Sequence, residues 1–467
     1  MLHRSLNRNY PVAVEGEGAW LITNDGQRQL DFAASAVVNF IGHGDASVAR
    51  AIAEQARALE FVHSSQFTTE VAERFAQQLL EFAGESFQGG AVFFTSGGSE
   101  SVETALKLAR QYHVERGESD RYQVVSRFQS YHGATLGALA VSGNQSRRAI
   151  YLPMIREFPK AHIPYCYRCR YNCAGKTCDD CGRQYAAEVE QAIAETGGTA
   201  AAFILEPVSG ATLGAAVPNP GYLPEVAEIC RRSGILLIAD EVMTGVGRTG
   251  RNFAVDHWNV DGSATPDLIT VGKGISSGYA PLGAVIARAH VVDAIANGSG
   301  SLLHGFTYNG HPLAVAAGRA VLQRITLEHL VERANSDREG SIACTLKHEL
   351  QKLWNIPCVG DIRGLGLLWS IEFVADRATK QPFEPQRRFS AAVYQEATQR
   401  GVLVYPMQGC ADGTSGDHIM IAPPAIIQEQ EVGWAVERLG EAIEAARAQL
   451  KSSGIQGRVD LRDRAGC

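Results

Sequence analysis

Six short β-rich runs, separated by stretches with helical spacing, constrain the fold of this chain more than any other feature. They are Ala91–Phe94, Tyr122–Ser126, Ala202–Glu206, Ile235–Asp240, Leu268–Val271 and Ala284–Ala287. Between them, Glu100–Arg110 puts Val102, Leu106 and Ala109 on one face, and Ala186–Glu195 and Leu223–Ser233 also read as helices. Strands alternating with helices predict an α/β fold with a mostly parallel, doubly wound sheet covered on both faces. The character changes near residue 312. A long helical stretch from Pro312 to about Trp354 precedes strand-like Leu367–Phe373 and Val402–Tyr405, then a last helix at Gln428–Leu450. This predicts a smaller α+β domain built from both termini, with strands around Val12–Val14 and Trp20–Thr23 joining it. The expected division is residues 1–50 for the N-terminal part of the small domain and 51–315 for the large domain, which includes a Cys-rich loop at 164–183. Residues 316–450 form the C-terminal part of the small domain, and a frayed tail covers 451–467.

The length of 467 residues allows a large core and two or three domains. A formal charge of -7 gives no reason to expect nucleic acid or an acidic membrane as a partner. No apolar run approaches the ~20 residues that span a bilayer. The opening Met1-Leu2-His3-Arg4 runs into polar residues where a signal peptide would place its apolar core, so a cytoplasmic protein is expected.

Three places carry chemistry. Thr95-Ser96-Gly97-Gly98-Ser99 joins a strand to a helix, where free backbone N–H groups and the Ser99 hydroxyl suit a phosphate, although such a turn also serves as a plain cap. Asp240 ends a very apolar strand, at the edge where open α/β sheets bind ligands; the alternative is an Asp that caps a turn. Lys273 follows Leu268–Val271 between Gly272 and Gly274. Partial burial there would lower its pKa and free the neutral amine for a Schiff base.

Taken in order with Tyr131-His132-Gly133, Glu206-Pro207-Val208, the run from Ala239 to Gly250 and the run from His304 to Pro312, these motifs resemble the class III (ω-amino) aminotransferases. These are fold-type I enzymes dependent on pyridoxal 5′-phosphate (PLP), and the resemblance covers nearly the whole chain. It implies that Lys273 carries PLP and shuttles the substrate proton, and that Asp240 pairs with the ring nitrogen. Tyr131 stacks on the ring with His132 beside it, and Val242 packs on the opposite face. Gly98 and Ser99, with Gly97 close by, bind the phosphate. Thr307 reaches the phosphate of a neighbouring subunit's cofactor, which implies a homodimer and leaves open whether dimers pair into tetramers. Glu206 takes a position that in several relatives pairs with an arginine and gates substrate carboxylates. The implied reaction moves an amino group from an ω-amino acid or amine to a keto-acid acceptor by a ping-pong mechanism. An amino-acid epimerase or aminomutase would use the same residues. A non-catalytic scaffold is opposed by the intact Lys273, Asp240 and Tyr131.

Two features depart from the family pattern. Where relatives place a carboxylate-binding arginine before the C-terminal Pro-Pro, this chain has Met420, and Tyr405 stands at a second such position; Arg147, Arg148, Arg168 and Arg170 are candidate replacements. The second departure is Cys166-x2-Cys169-x3-Cys173-x4-Cys178-x2-Cys181. Paired C-x2-C spacing suits zinc. An iron–sulfur cluster is implied by relatives that hold one in this region, and an insertion without metal is the third option.

Overall fold

Ala202, Ile204, Leu236 and Ile238 pack into one apolar cluster, whereas Phe203, Leu205, Leu237 and Ala239 pack into another. Successive side chains of a strand point to opposite faces. A strand covered on both faces therefore needs apolar residues throughout, which is why these runs are continuous and not alternating. The computed structural model describes residues 1–7, 9–171 and 179–459. Its central seven-stranded sheet has the order Ala91–Thr95, Gly283–Ala287, Leu268–Val271, Leu236–Asp240, Ala200–Leu205, Gln123–Arg127 and Lys160–Ala161. The last five run parallel to one another, and Gly283–Ala287 is antiparallel to both of its neighbours. All six expected strands are present. The seventh, Lys160–Ala161, is only two residues long and too short to leave a sequence pattern.

Helices cover both faces. Gly98–Glu115 buries Val102, Ala105 and Ala109 against Ile204, Ile238 and Val285. On the other side lie Val226 of Tyr222–Ser233, Val189 of Asp179–Ala194 and Val321 of Pro312–Leu327. Tyr222–Ser233 stops at Gly234, whose φ of 66° closes the helix in the left-handed conformation that glycine adopts freely. Each buried Leu, Ile or Val contributes roughly 1.5–3 kcal/mol. Replacing Ile238 by Ala would cost about 2–5 kcal/mol, because the space it leaves cannot close.

Two further sheets belong to the terminal regions. Ala13–Glu17, Trp20–Thr23 and Arg28–Asp31 pair with Val402–Leu403, so the N-terminal strands do join the C-terminal part of the chain. Val359–Leu365, Leu368–Phe373, Asp417–Ile421 and Tyr405–Gln408 form the other. The single strand expected over Val402–Tyr405 is thus divided between two sheets, a change of partner that an apolar run does not encode. The last helix spans Glu429–Val459, beyond the expected end at Leu450. The remainder of the expected tail, 460–467, lies outside the described residues.

Candidate active site

The C-terminal ends of the strands starting at Ala91, Gln123, Ala200, Leu236 and Leu268 meet at one edge of the sheet, and a cavity of about 210 Å³ opens there. Gly98, Ser99, Tyr131, His132, Glu206, Asp240, Val242 and Lys273 all line it. Gly97 lies just outside, as the residue that precedes the 18-residue helix Gly98–Glu115. Thr307 is exposed and takes no part in the cavity wall of its own chain.

Asp240 is fixed from three sides. Its Oδ2 lies 2.7 Å from His132 Nδ1, and its Oδ1 accepts from Val242 N at 3.1 Å and Thr270 Oγ1 at 3.4 Å. Two buried atoms of this wall, His132 Nε2 and Glu206 Oε2, have no hydrogen-bond partner among the described residues. Leaving such groups unsatisfied costs about 1–3 kcal/mol each. Two of them beside one cavity mark a surface built to be completed by a polar ligand. Glu206 Oε1 accepts from Gly210 N at 3.0 Å. The expected arginine partner of Glu206 is not on its carboxylate: Arg127 donates to the Glu206 backbone carbonyl at 2.6 Å. Burial pushes the Glu206 carboxyl above its ordinary range, with His132 and Arg127 opposing and Asp240 adding to the rise.

Lys273 has φ 44°, a left-handed backbone that costs a non-glycine residue about 1–3 kcal/mol and is retained mainly at functional sites. Burial pushes its amine down to about 8, against the raising influence of Asp240 and Glu206. The phosphate-type turn is closely packed. A Cβ on Gly98 would lie 2.6 Å from Val242 Cγ1, and one on Gly133 would lie 2.7 Å from Ser99 Oγ. Ser99 Oγ accepts from Ala134 N at 3.0 Å, which fixes the hydroxyl at the start of the helix, where free N–H groups and the helix dipole favour an anion.

Some buried ties outside the cavity wall gave no usable signal in the sequence. Arg248, within the motif from Ala239 to Gly250, is buried and donates to the carbonyls of Asn39, Ala422 and Pro423. Burial lowers its pKa to about 9. Ser277 Oγ accepts from Phe40 N at 2.7 Å and Ile41 N at 3.0 Å. Ala34–Val37 holds four consecutive positive φ angles, from 45° to 66°, with no glycine to announce it. Asp31 holds this turn by accepting from Ser35 N at 2.8 Å and Ser35 Oγ at 2.7 Å.

Cys166, Cys169 and Cys181, the described cysteines of the segment, do not line this cavity. Cys166 Sγ lies 3.4 Å from Asn219 Oδ1, while Cys169 Sγ and Cys181 Sγ approach to 3.7 Å. Cys173 and Cys178 lie outside the described residues. Among the described residues no group of three or more His, Cys, Asp or Glu side chains is placed to hold a metal ion.

The family profile described as aminotransferase class-III matches residues 3–443. The chain belongs to the class III aminotransferases. This aminotransferase is 36% identical over 454 residues to the uncharacterized aminotransferase YodT of Bacillus subtilis, covering 97% of this chain and 99% of that one. It is 33% identical to the adenosylmethionine-8-amino-7-oxononanoate aminotransferase of Geobacter sulfurreducens, over 92% and 91% of the two chains. Among solved structures, an amine transaminase from an uncultivated Pseudomonas species in its PLP-bound form superposes with a TM-score of 0.87 at 34% identity, covering 96% of this chain and 98% of that one. The fold of the aminotransferase is therefore the fold-type I architecture that its sequence motifs implied. No helix among its described residues is long and apolar enough to cross a membrane.

Proposed function

We propose that this aminotransferase transfers an amino group from an amine or ω-amino acid to a keto-acid acceptor by a ping-pong mechanism, with PLP held at Lys273. The observation that carries this reading is the meeting of the Lys273 amine and the His132-oriented Asp240 carboxylate in one cavity. When bound, PLP supplies an electron-accepting ring that stabilises negative charge at the substrate carbon. Asp240, aimed by His132 Nδ1, would hold a proton at the ring nitrogen. Tyr131 and Val242 would cover the two ring faces, and the Gly97–Ser99 turn would bind the phosphate. Lys273 Nζ, largely neutral above pH 8 or so, is suited first to bind the cofactor carbonyl and then, once released, to take the proton from the substrate carbon.

A homodimer fits this reading. Thr307 is exposed, as are the apolar side chains of Leu303 and Tyr308 in the same loop and of Phe67, which lines a cavity with Asn309 and Gly310. A second subunit would cover them and receive Thr307 at its own phosphate site. The cysteine segment has no part in this reaction.

The test is the visible absorbance of the protein reconstituted with PLP, followed as amines and then keto acids are added. A cofactor band that an amine converts and a keto acid restores is the expected result. A band that never converts, with chirality lost or product formed without an acceptor, would replace this reading with an epimerase or aminomutase. A protein that takes up no PLP would overturn it.

A further inference from the structure

The cavity presents at Glu206 a carboxyl that burial holds above its ordinary range, and Arg147 lies against the cavity wall at Tyr131 with no ion-pair partner among the described residues. Arg147 sits in the short segment Gln145–Arg148, which Asn144 Oδ1 caps by accepting from Arg147 N at 3.2 Å. Its guanidinium carbon lies 4.3 Å from the centroid of the Tyr131 ring, and Tyr131 is a wall of the cavity. Its hydrogen-bonding contact is Met407 Sδ, at 3.8 Å from Nη2, a weak thioether acceptor. No carboxylate or carbonyl accepts from its side chain among the described residues.

The other candidate arginines are engaged. Arg148 is paired with Glu157, Arg168 with Glu372 and Arg170 with Glu188. Arg127 and Arg248 are bound to backbone carbonyls. Met420, at the position where relatives carry a carboxylate-binding arginine, is fully buried among Val37, Val208 and Ala422, so no charge reaches the cavity from there. From this juxtaposition we infer that Arg147 recognises the substrate carboxylate, working from the outer face of Tyr131.

Stacking suits that task. A guanidinium lying over a ring keeps its in-plane N–H edge free, and two of those donors match the two oxygens of a carboxylate. The ring fixes the plane in advance, so less side-chain freedom is lost when the acid arrives. The ligand class is a keto acid or ω-amino acid whose carboxylate extends from the reacting carbon to the rim. Carboxylate-free amines gain nothing from this group. Because Arg147 has no counter-charge among the described residues, none of their ion pairs has to open to admit the acid. Its charge also adds to the lowering of the Lys273 pKa, which places it within electrostatic reach of the reacting amine.

The inference takes the transaminase reading as given for its choice of ligand, so its test is chosen to fail separately. Calorimetric binding of 2-oxoglutarate and of pyruvate to the PLP-loaded protein would be compared for the native chain, Arg147→Met and Arg147→Lys. Arg147→Met should weaken both keto acids by about 10- to 100-fold, the size of a charged hydrogen-bonded contact, and Arg147→Lys should recover part of the loss. In steady state the same variant should raise KM for the keto acid far more than it lowers kcat. The half-reaction with a carboxylate-free amine should change several-fold at most. Equal losses for acids and plain amines, or a shifted cofactor band, would make Arg147 a prop for Tyr131 and overturn the inference. So would keto-acid binding that is absent in the native chain or unchanged in the variant. Arg147-dependent binding without any transamination would leave the inference standing and remove the proposed reaction instead.

Discussion

Glu372 and Asp240 are both buried carboxylates on strands, and their surroundings are completed in opposite ways. Glu372 accepts from Arg168 Nε at 2.8 Å, from Arg363 Nη1 at 2.8 Å and from the Tyr165 hydroxyl. Arg363 also reaches Asp361 at 3.1 Å and the carbonyls of Leu213 and Gly214. Burial alone would raise the Glu372 carboxyl, but Arg363 and then Arg168 more than offset it and hold it below its ordinary range. Around Asp240 the neighbouring His132 Nε2 and Glu206 Oε2 have no hydrogen-bond partner among the described residues. A buried ion network whose charges are mutually paired ties parts of a fold together; here it fastens the Leu213–Gly214 loop to the sheet that contains Val359–Leu365 and Leu368–Phe373. A buried cluster with vacant hydrogen-bonding positions facing a cavity is a place for a ligand. The difference lies in which polar atoms have been paired, and the amount of buried charge does not reveal it.

The contrast can be broken most severely at Lys273. Lys273→Ala should lower turnover by at least the 10²–10⁴-fold typical of losing a proton-transfer group, with loss of the visible cofactor band. A variant that still turned over would remove Lys273 from the reaction. Asp240→Asn should keep the cofactor bound yet slow proton abstraction by roughly 10²–10³-fold, measured by single-turnover kinetics. Normal turnover would show that the cofactor ring needs no charge at this position.

On the other side of the comparison, Glu372→Gln leaves Arg168 without a carboxylate partner and Arg363 with Asp361 alone, in a buried site, and should cost about 3–5 kcal/mol of stability. A fall in melting temperature with activity per folded molecule little changed is the expected outcome. A selective loss of activity with unchanged melting would move Glu372 from the fold to the reaction.

The smallest effect is in the pH dependence. Lys273 has its folded pKa at about 8, below the ordinary 10.5, so between these values the unfolded chain holds a proton that the folded, cofactor-free chain does not. Stability of the cofactor-free protein should therefore rise with pH across that window, and the penalty should be constant below 8. The rate of PLP uptake should rise about tenfold per pH unit up to the same midpoint, since only the neutral amine attacks. Asp240→Asn removes a charge that raises the lysine pKa and should move the midpoint lower. A midpoint near 10.5 in the native chain would show that the amine is not held in the environment described.

Much of this was legible in the sequence, because burial and direction are encoded locally. Leu236–Ala239 is apolar at every position before Asp240, and Leu268–Val271 is apolar but for Thr270 before Gly272-Lys273, so both the two-sided burial and the functional edge could be read residue by residue. The glycines at 98 and 133 likewise marked places where a Cβ has no room. Other features had no such signal. The left-handed turn Ala34–Val37 contains ordinary residues and exists because Asp31 and its surroundings hold it. The strand at Val402–Tyr405 looked continuous, although its halves pair with Arg28–Asp31 and Asp417–Ile421.

The arginines show the same boundary most clearly. From the sequence alone Arg147, Arg148, Arg168 and Arg170 were equivalent candidates for binding a carboxylate. Tertiary structure gave Arg168 to Glu372, 204 positions away, and left Arg147 over Tyr131. The sequence by itself determined the layered α/β fold, the lysine and the aspartate at its strand ends, and the family to which they point. Only the tertiary structure decided which charges are cancelled and which stay available, because pairing depends on distances between residues that folding brings together and local pattern does not record.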